Sequence, residues 1–263
     1  MTFLRTLYDS NKVLTVTGWL HWILLAVLIC IYPFDGQTVL GIERWIKPMK
    51  FSASIAIYVW TLAWYLRYLT NRPRAVSVIS WGVSISMVVE IVCIAGQAAR
   101  GTTSHFNATS PFNGAVFALM GATIGISTVF VIYTLFLFFK EDVEIPLAYL
   151  WGIRFGLIIF VLASLEGGVM VGHLAHTVGA PDGGVGLPFV NWSREHGDLR
   201  VAHFAGMHAL QILPIIGYLL HRSRRPVSSQ VSYTVAISLL YLLITLFLGL
   251  EAWQGRPLIP MSV

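Results

Sequence analysis

Residues Phe112–Phe139 read FNGAVFALMGATIGISTVFVIYTLFLFF, 28 positions without an acidic or basic side chain. A hydrocarbon core about 30 Å thick is crossed by about 20 apolar residues in α-helix, each of which advances the axis by about 1.5 Å. In lipid the backbone amides of such a run are satisfied only by a helix or a closed barrel, and an unbroken run this long is a helix. Working outward, six further apolar runs lie at roughly 13–32, 49–69, 76–99, 146–170, 200–220 and 231–254. The expected fold is an all-α integral membrane bundle of seven transmembrane helices, a single domain over residues 1–263.

The composition agrees. Hydrophobic residues make up 56% of the chain and charged residues 11%, and the mean hydropathy is +0.74. A soluble domain of this length would not stay in solution with that balance. The first run ends in Ile29-Cys30-Ile31-Tyr32-Pro33-Phe34 with no small-residue cleavage motif, so it reads as a retained helix. Cys30 and Cys93 lie inside apolar runs with no CxxC pattern and read as buried structural thiols.

Orientation follows from the loop charges, because Lys and Arg concentrate on the cytoplasmic side. Arg67, Arg72 and Arg74 follow the second run, and Arg222, Arg224 and Arg225 follow the sixth, on the same side as Arg5 and Lys12. The N-terminus is therefore expected in the cytoplasm and the C-terminus outside. Arg44, Lys47, Lys50, Arg100, Arg194 and Arg200 oppose this bias from the outer side. The net charge of +5 reflects topology, and no long basic run is available to follow a nucleic-acid backbone.

The outer segment at about 173–199 contains Gly179-Ala180-Pro181-Asp182-Gly183-Gly184 and is expected to form turns that act as a lid or binding loop. Gly121-x-x-x-Gly125 and Gly152-x-x-x-Gly156 let helix backbones approach closely and are packing signals.

The chemistry gathers at the outer ends of the helices. The run from Glu195 to Gln211 carries His196, Asp198, Arg200, His203 and His208 from polar sequence into an apolar helix. Each ionisable group in a membrane helix needs a partner, and such groups commonly mark pathways or sites. On a regular helix His196, Arg200 and His203 share a face, while His208, five beyond His203, lies about 140° around. A complete metal site within this one helix is therefore excluded. On the third run Glu90, Cys93, Gln97 and Arg100 form one polar stripe. Glu166, His173 and His176 share a broad face of the fifth run if the helix persists through Gly167, Gly168 and Gly172. His105 and Asn107 close the outer end of the third run, and Lys47 and Lys50 add positive charge at the second. His21 and His221 fall outside this layer.

Trp45–Ser52, Gln97–Asn107 and Asp198–Gln211 resemble signatures of an uncharacterised family of bacterial polytopic membrane proteins, over most of the chain. The resemblance implies a multi-pass location in a bacterial inner membrane and implies no activity. The seventh run has neither the histidines of ceramidase-type hydrolases nor a retinal-binding lysine.

Two functional expectations follow. In the first, a transition metal (zinc, copper or iron) or haem b is held by His105, His173, His176, His203 and His208. His173, His176 and His203 are the haem candidates, and Glu90, Glu166 and His208 serve redox or hydrolytic chemistry, the carboxylates as ligands or proton-transfer groups. The number of histidines near one face favours this reading. In the second, the chain is a non-enzymatic transport, binding or accessory subunit for a small anionic or polar ligand, a lipid headgroup or a larger membrane complex. Lys47, Lys50, Gln97, Arg100, Asn107, Arg200 and Gln211 then form the ligand site, with the histidines as pH-sensitive donors.

Overall fold

The computed structural model describes residues 2–260. The helices are α1 (Phe3–Ser10), α2 (Lys12–Ile31), α3 (Ile46–Leu66), α4 (Pro73–Ala99), α5 (Pro111–Lys140), α6 (Leu147–His173), α7 (Arg200–His221) and α8 (Val227–Trp253). Strands β1 (Thr38–Val39) and β2 (Ile42–Glu43) form one antiparallel pair; β3 (Thr177–Val178) and β4 (Gly197–Asp198) form another. The fold is all-α around these short pairs. Six helices, α2 and α4 to α8, are long and apolar enough to cross a membrane. The second run also folds as a helix, α3, but Lys47, Lys50 and its Ser, Thr, Tyr and Trp positions leave it outside that set. Its polarity has a packing reason. Met49, Ser52, Ile55, Ala56, Val59, Leu62 and Ala63 are buried against neighbouring helices, so α3 presents little surface that must be apolar toward lipid.

The chain divides into two compact units between Thr134 and Leu135, within α5. In the first, Trp60 of α3 donates to the Thr15 carbonyl at 3.1 Å and its indole lies where a Cβ on Gly18 of α2 would stand. Phe3 of α1 stacks on Trp64, one turn further along α3, so α2 and α3 run antiparallel. By contrast α2 and α4 run parallel. Asn11, capping α2, meets Ser80 at 2.7 Å, and Thr17 meets Ser84 at 2.6 Å. The α2–α3 connection is a tight hairpin whose turn residues, Leu40 and Gly41, both have positive φ, as a two-residue turn between twisted strands requires.

In the second unit α6 and α7 pack through glycines. Added Cβ atoms at Gly152 and Gly156 of α6 would meet backbone at Leu213 and Ala209 of α7, and one at Gly217 of α7 would meet the Ala148 carbonyl. The backbones are close enough that no side chain fits, the arrangement Gly152-x-x-x-Gly156 predicts. Ile159, Ala209 and Leu213 form the core there, with Phe155, Ile216, Tyr241 and Leu242 around it. On α8, Leu239, Leu243, Leu246 and Leu250 are exposed, as a lipid-facing surface requires.

Some expectations are corrected. The glycines at 167, 168 and 172 do not break α6, but the helix ends at His173, where Leu174 adopts the left-handed conformation. His176 therefore leaves the face of Glu166 and His173. His196 precedes α7, which begins at Arg200, and shares no helix face with His203. Cys30 is exposed and Cys93 half-buried, so neither is a core thiol.

Candidate functional site

Each unit holds a cluster of ionisable groups. In the first unit the cluster is built by the end of α4 and the turn that follows. Gly101, with φ 70°, closes α4: its amide bonds the Ala98 carbonyl and the Thr102 amide bonds the Gln97 carbonyl at 3.1 Å. This double closure needs a residue that tolerates the left-handed conformation, which glycine does without a Cβ penalty. Asn107, 2% exposed, then folds the loop on itself. Its amide donates to Thr102 Oγ1 at 3.0 Å and to the Thr103 carbonyl at 2.8 Å, and its carbonyl accepts from the Thr109 amide and hydroxyl. Gln97 and Arg100 both donate to Asn113 Oδ1, at 3.0 and 2.9 Å, which ties α4 to the start of α5. Asn107, Gln97 and Arg100 thus hold the loop in place.

That loop delivers His105 over α4. The ring lies among Phe51, Phe106 and Phe117, with centroids 5.7, 6.0 and 6.5 Å away. Its Nε2 stands 3.6 Å from Glu90 Oε1, and its Nδ1 stands 3.2 Å from Lys47 Nζ and 3.1 Å from Ser104 Oγ. An ammonium has only protons to donate, so Nδ1 accepts from Lys47 and Nε2 carries the ring proton toward Glu90. Glu90 is 2% exposed, and its Oε2 is buried without a hydrogen-bond partner. A carboxylate held inside a membrane helix with one oxygen unmatched is costly unless it takes up a proton or faces a ligand. Lys50, half-buried, lies one turn beyond Lys47.

The second unit's groups form separate pairs. His203 of α7 donates from Nδ1 to the Ala163 carbonyl at 2.9 Å and lies 3.2 Å from Glu166 Oε2 of α6. Gly167 makes the approach possible, since a Cβ there would stand 3.0 Å from the His203 ring. His176 pairs with Asp182 at 3.2 Å. His173 is exposed and its ring lies 6.1 Å from Trp253. The His208 ring packs tilted against Phe204, with centroids 4.3 Å apart, and the side chain bonds Gln211. Arg200 forks onto Asp198, Nε at 2.9 Å and Nη2 at 2.6 Å, and also bonds the Asn191 carbonyl.

Asp198 is 1% exposed and also accepts from the Ser193 amide at 2.9 Å and the Arg200 amide at 3.1 Å. Burial pushes its carboxyl up, but the hydrogen bonds and charge of Arg200, with the Ser193 amide and His176, hold it on balance below the usual carboxylate value. The loop expected at about 173–199 is therefore folded and fastened. A pocket of about 120 Å³ opens beside it, lined by Asp198, Val201, Phe247, Glu251 and Arg256 among others.

Within the second unit His173, His176, His203 and His208 each engage different partners. Among the described residues no group of three or more His, Cys, Asp or Glu side chains is placed to hold a metal ion. His21, which the sequence set apart from the candidate site, is 2% exposed in α2, and its Nε2 has no close hydrogen-bond partner. The signal that could have found it is the polar face of Asn11, Thr17 and His21 opposite Ser80 and Ser84, legible only once the two helices are known to be neighbours.

Compared with protein-family models, with curated proteins and with solved structures, the chain has no significant match.

Proposed function

We propose that this chain is a seven-span carrier of a bacterial inner membrane, with its N-terminus cytoplasmic and its C-terminus outside, that binds a small anion at Lys47 and His105 in exchange for the Glu90 carboxylate. The observation that carries the reading is the Glu90–His105–Lys47 chain, in which a buried carboxylate with one unmatched oxygen is the counter-charge of an ammonium across a neutral imidazole. While Glu90 is ionised it balances Lys47. When Oε2 takes up a proton, the positive charge of Lys47 and the Nε2–H of His105 become available to an outside anion, so proton and anion bind together. Positive charge in a partly desolvated, aromatic-lined setting favours an anion more strongly than the same charge in water. Phe51, Phe106 and Phe117 supply that setting.

The test is a titration of purified protein with formate, sulfate and inorganic phosphate across pH. Affinity for at least one of them is expected to rise as pH falls. Glu90→Gln, which mimics the protonated side chain, is expected to bind without pH dependence, and Lys47→Met to lose binding by about tenfold or more, the scale of a lost charge-assisted bond. Affinity that is indifferent to pH, or to Lys47→Met, would overturn the reading. Elemental analysis and the visible spectrum of the same sample test the metal or haem alternative. A stoichiometric metal or a haem band would overturn the anion reading in favour of that alternative.

A further inference from the structure

We infer that the buried seam between α2 and α4 is a proton path, with His21 as the relay through which Glu90 exchanges its proton with the side of the membrane where these helices begin. The inference rests on the reading of Glu90 as a proton-exchanging group and names its access route. Along the parallel helices, polar side chains recur at every turn of an otherwise apolar interface. Asn11 Nδ2 donates to Ser80 Oγ at 2.7 Å; one to two turns on, the hydroxyls of Thr17 and Ser84 meet at 2.6 Å. One turn further, His21 donates from Nδ1 to the Thr17 carbonyl at 2.7 Å, and the Met87 backbone carbonyl stands as a looser acceptor for the ring when it is protonated. Glu90 follows three residues later on α4, about 4.5 Å further along the axis.

The seam is shut off from the surface. Asn11, Thr17, His21, Ser80, Ser84 and Glu90 are all less than a tenth exposed. Among the described residues, His21 Nε2 and Glu90 Oε2, on successive levels of the seam, belong to the buried side-chain atoms that lack a hydrogen-bond partner, a set that also includes Trp22 Nε1, Glu43 Oε2 and Glu166 Oε1 elsewhere. A packing seam needs each buried polar atom matched, and Asn11, Thr17, Ser80 and Ser84 satisfy that rule. His21 and Glu90 break it at the positions where a proton must be accepted and released. An imidazole with one nitrogen anchored and the other without a close hydrogen-bond partner can take a proton on Nε2 and release it toward the next acceptor, ending unchanged. The ionisable groups that face Glu90 are His105 and Lys47, with Cys93 nearby on α4. Those on α3, packed against both helices, include Tyr58, whose hydroxyl meets Ser127 at 3.2 Å, and Tyr65. Neither tyrosine supplies a carboxylate or imidazole that would bypass His21.

The test uses the full chain in liposomes loaded with a fluorescent pH dye, with inorganic phosphate on both sides and a potassium–valinomycin clamp, after an acid step outside. Wild-type vesicles are expected to equilibrate faster than protein-free ones, and His21→Gln to slow this by about tenfold or more, within the range for a positioned proton-transfer group. Equal rates for His21→Gln and wild type, or wild-type vesicles no faster than empty ones, would overturn the relay. If His21→Gln fails to give folded protein, Ser84→Ala carries the same test with the same slowing expected, and an unchanged rate overturns the path. The anion site fails separately, in the phosphate titration with Lys47→Met, so the two readings can fall independently.

Discussion

Asp198 shows what one residue does in this fold. Its carboxylate gathers the Ser193 amide, the Arg200 amide and the Arg200 guanidinium, and so fastens the long loop to the start of α7. Asp198→Asn keeps the shape but removes the charge that Arg200 meets in a fork, and is expected to cost roughly 2–4 kcal/mol, the range for one partner lost from a buried charge-assisted pair. Thermal unfolding in detergent micelles checks it. Because the folded carboxyl lies below its ordinary value of 3.8, this contribution is complete above about pH 3.8 and is lost as pH falls through the lower folded value. Loosening of the loop at pH 5, followed by limited proteolysis, would count against that assignment. His203 shows the opposite case: its position depends on Gly167, a residue with no side chain at all. The sequence exposes Asp198, Arg200 and His203 as ionisable residues entering an apolar helix, but which partner each takes depends on a loop fold that no local pattern encodes.

At the scale of elements, α6 and α7 illustrate both what is legible and what is not. Gly152-x-x-x-Gly156 announces a close helix contact, and the structure places it against Leu213 and Ala209. Gly121-x-x-x-Gly125 carries the same signature, yet a Cβ at either position would meet nothing within 4 Å. The motif states that approach is possible and leaves the partner open. Gly156→Leu is accordingly expected to destabilise the protein by about 1–3 kcal/mol through overpacking, while Gly125→Leu leaves the unfolding midpoint unchanged. Equal effects of the two substitutions in a thermal melt would refute the difference. The helix ends are harder to read than the helices. The apolar run that becomes α6 fades at about residue 170, but the helix continues to His173 and stops where Leu174 turns left-handed, which places His176 in the loop. α1 escapes the apolar pattern because it is short and amphipathic, with Leu7 buried and Arg5 and Asp9 outward.

For the whole molecule, hydropathy alone leaves the second run undecided, since α3 falls outside the six strongly apolar helices. Helix direction supports the proposed seventh crossing. α2 and α4 lie side by side and run parallel, as the Asn11–Ser80 and Thr17–Ser84 contacts require. If α3 did not cross, the chain would enter α4 from the side it reached at the end of α2, and the two helices would be antiparallel. A returning α3 of 21 residues is about 31 Å long, enough for the same crossing. If the proposed seven crossings from a cytoplasmic start are right, Arg72, Glu144 and Arg225 are expected inside and Asp182 and Gly255 outside. Fusions truncated after the first three are expected to give fluorescent cytoplasmic reporter and no periplasmic phosphatase activity, and fusions after the last two the reverse. A six-crossing chain with α3 lying flat reverses the outcome at Arg72 and at every later fusion, so phosphatase activity after Arg72 would refute the seven-crossing arrangement. The same result would part α2 from α4 in direction and remove the seam on which the His21 relay depends.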